Sequence, residues 1–157
     1  MRFLLLVALW STLAFIPAWF ITTPYQHALA AAAAKVVAPP GTTIEIVDFQ
    51  LFFPFDLGIY VALCLASTWA PWPRRGRAIA IGLPLLVLIE LISVSGAMKS
   101  IMAVMANPNA PAEAGDRAVR FATGIIRVSG LVAAAVVWLY GLGRERLSLA
   151  ARTWLGA

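Results

Sequence analysis

Residues 51–103 read LFFPFDLGIYVALCLASTWA (51–70), PWPRRGR (71–77) and AIAIGLPLLVLIELISVSGAMKSIMA (78–103). Two apolar runs flank seven residues that hold two prolines, an indole and three guanidinium groups. Each run is near the twenty residues that an α-helix needs to cross a bilayer. The stretch therefore predicts a helical hairpin with a basic hinge at 71–77. The hinge arginines, Arg74, Arg75 and Arg77, place it on the cytoplasmic face.

Composition agrees with that reading. The chain has 157 residues, 62% hydrophobic and 12% charged, with mean hydropathy +0.88. A soluble domain carries about 25% charged residues, so half that level points to the membrane class. The net charge of +5 does not indicate nucleic acid, because most basic residues sit in short segments between apolar runs. Cys64 is the lone cysteine and forms no internal disulfide.

Working outward, residues 3–21 are apolar except for Ser11 and Thr12 and follow Arg2. The run is longer than a signal-peptide core and carries Trp10 and Trp19, so it reads as an uncleaved first crossing. Trp19 and Tyr25 are expected at the outer interface. Residues 24–50 form an outer segment. Within it, His27–Val37 is alanine-rich and too short to span, expected on the membrane face or against the bundle. Residues 43–49 are rich in β-branched side chains and read as extended. Residues 51–70 are the second crossing and 78–100 the third, which Pro84 is expected to kink. After a polar loop at 112–117, residues 119–142 make the fourth crossing. The tail, 144–157, is cytoplasmic and carries Arg144 and Arg146.

The expected fold is thus all-α: one integral membrane domain, a four-helix bundle with both termini inside. Basic residues support this orientation. Arg2, Arg74, Arg75, Arg77, Arg144, Arg146 and Arg152 fall inside, against Lys35, Lys99, Arg117 and Arg120 outside.

Ionisable groups within apolar runs are costly and need a partner or a wet cavity. Glu90, Arg127, Asp56 and Lys99 qualify. At 1.5 Å rise per residue, Arg127 and Glu90 lie at similar depth, about 5 Å apart. Glu90–Arg127 is the preferred pair, and Asp56–Arg127 competes with it. Such a constellation serves proton relay or ligand binding, or, more simply, fixes helix register. Lys99 is placed to snorkel to the interface. Ser93, Ser95, Gly96, Gly124, Ser129 and Gly130 suit close helix packing. One histidine and one cysteine exclude bis-histidine haem and histidine-rich zinc sites, and no phosphate-binding glycine motif occurs. No cofactor and no enzymatic activity are expected.

The layout resembles that of the small exosortase H-associated membrane proteins of Gram-negative bacteria. The resemblance rests on a tryptophan-bearing anchor, FPFDLGIYVALCLA (53–66) running into the basic hinge, IGLPLLVL (81–88), Met98-Lys99, and VWLY (137–140) before Arg144. It implies an accessory protein in the bacterial inner membrane, beside an exosortase that processes sorting signals of exported proteins. Exosortases use Cys, Arg and His, a set this chain does not supply, so the resemblance implies a partner of the enzyme. The alanine-rich outer segment and Arg127 depart from the family pattern. The functional expectation is a non-catalytic accessory or assembly subunit of a larger membrane complex. The alternative is a small transporter or channel component, in an oligomer, using the intramembrane Glu90–Arg127 pair and Asp56.

Overall fold

The computed structural model describes residues 2–39, 55–111 and 113–143. The apolar runs are helical, and no strand occurs among the described residues. Helix α1 spans Arg2–Val37, α2 Phe55–Ala66, α3 Trp72–Met105 and α4 Ala114–Trp138, which ends in a π-helical turn, Leu139–Gly143. By length and composition, α3 and the combined 114–143 helix are long and apolar enough to cross a membrane. Helix α1 supplies a third span if its limbs, Arg2–Pro17 and Trp19–Val37, form one, although they bend by 69°. Pro17 accounts for the bend, because proline removes a backbone donor and crowds the preceding turn.

Four expectations change. The first crossing does not end near residue 21. Helix α1 continues through Pro24 to Val37, and its alanine-rich end packs inward, with Leu29, Ala30, Ala33 and Ala34 buried. Small side chains let the helix come close to its neighbours, which holds this end against the bundle. The second crossing, read as 51–70, is helical over only twelve described residues. That is about 18 Å, against a hydrocarbon core of about 30 Å. Ser67–Ala70 form turns, and residues 51–54 lie outside the described residues. The basic hinge is also narrower than expected. Pro71 is the N-cap of α3, so Arg74, Arg75 and Arg77 belong to its first turns. Pro73 fits there because an N-terminal helical position needs no backbone donor. Finally, α4 begins at Ala114, inside the expected polar loop, with Arg117 and Glu113 3.6 Å apart on its exposed first turn. Pro84 lies within α3 without ending it. The extended segment expected at 43–49 and the tail with Arg144 and Arg146 lie outside the described residues.

One end of the structure gathers the start of α1, the end of α2, the start of α3 and the end of α4. The Phe3 ring lies 5.2 Å from Trp69 and 5.9 Å from Trp138. Trp138 Nε1 donates to Ser67 Oγ at 2.9 Å, and Trp69 Nε1 donates to the Leu142 carbonyl at 3.4 Å. Arg75, expected only to set orientation, also donates to the carbonyls of Ala70 (2.7 Å) and Leu65 (3.2 Å). Carbonyls at a helix end have no partner within the helix, and Arg75 supplies one. Tyr60, Cys64, Ala70, Leu86, Ala134 and Leu142 make the core here. A second core, of Leu29, Ala33, Val94 and Ile126, lies toward the other end.

The buried stripes follow a four-residue spacing. On α2 they are Asp56, Tyr60 and Cys64; on α3 Gly82, Leu86, Glu90 and Val94; on α4 Ala122, Ile126, Gly130 and Ala134. Residues four apart lie on one helix face. The α2 stripe thus holds a carboxyl, the α4 stripe a space-making glycine and the α3 stripe one of each, beside apolar side chains.

Candidate functional site

The stripes bring Asp56 and Glu90 together. Glu90 is 2% exposed and Asp56 6%. They are close enough for each carboxyl to act on the charge of the other. Tyr25 reaches them from α1, and its hydroxyl donates a hydrogen bond to Glu90 Oε2. Glu90 Oε1 is buried without a hydrogen-bond partner among the described residues. Helix α4 contributes space: a Cβ on Gly130 would fall 2.5 Å from Asp56 Oδ2 and 3.0 Å from Asp56 Cγ. The Asp56 carboxyl thus occupies the volume that a side chain at 130 would need.

Tyr25 is the site residue that sequence reasoning missed, having placed it at the outer interface. A signal was available: Tyr25, Leu29 and Ala33 recur every four residues, and Leu29 and Ala33 face the core. The aromatic therefore begins an inward stripe of α1. Replacing Tyr25 by phenylalanine leaves Glu90 Oε2 without its donor while keeping the ring. A loss of about 1–2 kcal/mol of stability is expected, measurable as a lower midpoint of thermal unfolding in detergent.

Arg127 does not join the cluster. It follows Ile126, a buried residue of the α4 stripe, and one step along a helix turns the side chain by about 100°. It is exposed and forms no hydrogen bond or ion pair among the described residues. The expected Glu90–Arg127 and Asp56–Arg127 pairs are absent among the described contacts, and Asp56 neighbours Glu90 instead. Depth alone suggested the pairing; helix rotation decides against it. Lys99 is exposed at the edge of a cavity of about 390 Å³, lined also by Val36, Leu91, Ile92, Ser95 and Gly96.

No family model, no curated protein and no solved structure matches this chain. Cys64 is a buried free thiol. Its stripe neighbour Tyr60 donates its hydroxyl to the Ala78 carbonyl at 2.6 Å. His27, the lone histidine, is exposed on α1. Among the described residues no group of three or more His, Cys, Asp or Glu side chains is placed to hold a metal ion. The packing expectation for small residues divides by face. Gly130 and Ser95 are buried, whereas Gly96 and Gly124 lie on exposed faces.

Proposed function

We propose that this chain is a non-catalytic docking subunit of a larger membrane complex. It would sit as a four-helix bundle in a bacterial inner membrane, with both termini cytoplasmic, and bind its partner laterally through the outward face of α4. The observation that carries this reading is Arg127. It projects, seven residues after the exposed Arg120, from the same outward side of α4 as Phe121, Ile125, Val128, Leu131, Val132 and Val136, all exposed. A guanidinium facing hydrocarbon costs about 3 kcal/mol near the bilayer centre, and more on some scales. A carboxylate on a partner helix would remove that cost and fix the register of docking.

A second copy of this chain is the poorer occupant. A parallel, two-fold contact through this face would oppose Arg127 to Arg127, while Asp56 and Glu90 are buried within each copy. The layout resemblance to exosortase-associated proteins supplies the partner class: a multi-spanning protein-sorting enzyme. The transport alternative rested on a Glu90–Arg127 pair, and Arg127 lies on the exposed side of α4, away from the buried carboxyls.

The test is substitution at Arg127. Charge reversal, Arg127→Glu, is expected to weaken co-purification with the partner by about 30-fold or more, the scale for breaking a desolvated charge pair. Exchange of the facing partner carboxylate for lysine is expected to restore it. Unchanged co-purification of Arg127→Glu would refute the reading.

A further inference from the structure

We propose that Asp56, Glu90 and the Tyr25 hydroxyl form a buried site for one monovalent cation, held as a proton or as Na⁺. The site draws one oxygen-bearing side chain from each of α1, α2 and α3, and Gly130 on α4 leaves room for the Asp56 carboxyl. Two neighbouring carboxyls within a low-dielectric interior do not both keep a full negative charge without a counter-charge. None faces them among the described residues. Helix α2 carries no basic residue. On α1, Arg2 and Lys35 lie near the two ends and His27 lies two residues past Tyr25; all three are exposed. On α3, Arg74, Arg75 and Arg77 belong to the first turns, and Lys99 is exposed nine residues beyond Glu90. On α4, Arg127 lies on the outward face and Arg117 and Arg120 are exposed near the start.

The second observation is Glu90 Oε1. Glu90 is 2% exposed and its Oε2 is taken by Tyr25, yet its Oε1 meets no donor among the described residues. An unsatisfied buried carboxyl oxygen beside a second carboxyl is what a missing positive charge leaves behind. A proton shared by the two carboxyls would satisfy Oε1; so would Na⁺ coordinated by the same oxygens. Either occupant ties α1 to α2 and α3 through one charge. This site stands apart from the docking face, because it uses no atom of Arg127.

Infrared spectroscopy of the full-length protein in lipid nanodiscs at pH 8 tests the site. Ordinary carboxyl groups, with pKa near 4, are fully ionised there. In Na⁺-free buffer the account predicts the carbonyl stretch of a protonated carboxyl group. The band should shift when the glutamates or aspartates of the unmodified sequence are ¹³C-labelled at the side-chain carboxyl. It should also change or vanish in Glu90→Gln and Asp56→Asn. If the occupant is a proton, adding Na⁺ at constant ionic strength leaves the band in place. If Na⁺ is the natural occupant, the band disappears as Na⁺ is added, and K⁺ is less effective. Absence of the band in Na⁺-free buffer, in the labelled unmodified protein, would overturn the proposal. So would a band that neither label shifts. The labelled protein needs no substitution, so the result stands even if the variants fail to fold.

Discussion

Gly82→Ala is expected to destabilise the protein by about 3 kcal/mol, one of the two largest single-residue effects in this fold. A Cβ at position 82 would run into the hydroxyl and ring of Tyr60. Tyr60 has no easy retreat: it is 1% exposed, packs in the core with Leu86 and Ala134, and donates its hydroxyl to the Ala78 carbonyl at 2.6 Å. Either the ring turns and loses that bond, or α2 and α3 separate and open a void. Overpacking of this kind costs about 1–3 kcal/mol and occasionally more. The expected reading is a fall of about 6–12 °C in the unfolding midpoint in detergent. Gly76→Ala is the internal control. Nothing lies within 4 Å of a Cβ there. The alanine should be neutral or stabilising by up to about 1 kcal/mol, from helix propensity alone. Equal effects at the two positions would mean that Tyr60 does not pack over Gly82.

The second large effect belongs to Gly130. Alanine there places a methyl group against Asp56, a short side chain with little freedom to swing away. The carboxyl must move, and with it its contact to Glu90 and the surroundings of the Tyr25 hydrogen bond. A loss of about 2 kcal/mol is expected. Asp56→Ala alone also costs stability, because it leaves Glu90 with one neighbour fewer and a void beside Gly130. Combined with Gly130→Ala, it should recover much of the loss, since each change relieves the other. A coupling of about 1 kcal/mol or more in the double-mutant cycle is the expected sign of direct contact. Simple additivity would place Asp56 elsewhere.

How much of this was legible beforehand depends on which physical signal each feature leaves. The apolar runs of α3 and α4 were readable because length and hydropathy are additive along a chain. The short α2 was not, since Ser67–Ala70 carry no charge to mark the end of the run while their backbone forms turns. The reach of α1 past Pro24 was hidden for the opposite reason. Proline and the polar Thr22-Thr23 look like a stop, but inward packing of Leu29, Ala30 and Ala33 outweighs a local breaker. Glu90 and Asp56 were legible as buried carboxyls from hydropathy alone. Their partner was not, because matching depth ignores rotation about the helix axis. The spacing of Ala122, Ile126, Gly130 and Ala134 already implied that Arg127 turns away from the core. Tyr25 was misplaced because an aromatic near a helix end suits an interface as well as a hydrogen bond.

Docking requires the outward face of α4 to meet a carboxylate-bearing helix in the membrane. A photo-cross-linking amino acid at Val128, beside Arg127, in the full-length protein in its native membrane tests that demand directly. The account predicts one discrete adduct. Its mass-mapped peptide should be an apolar partner helix containing Asp or Glu, and the adduct should be lost when Arg127→Leu is introduced at the same time. Adducts with lipid alone, with the chain's own Glu45–Asp48 stretch, or with a second copy of α4 would contradict it.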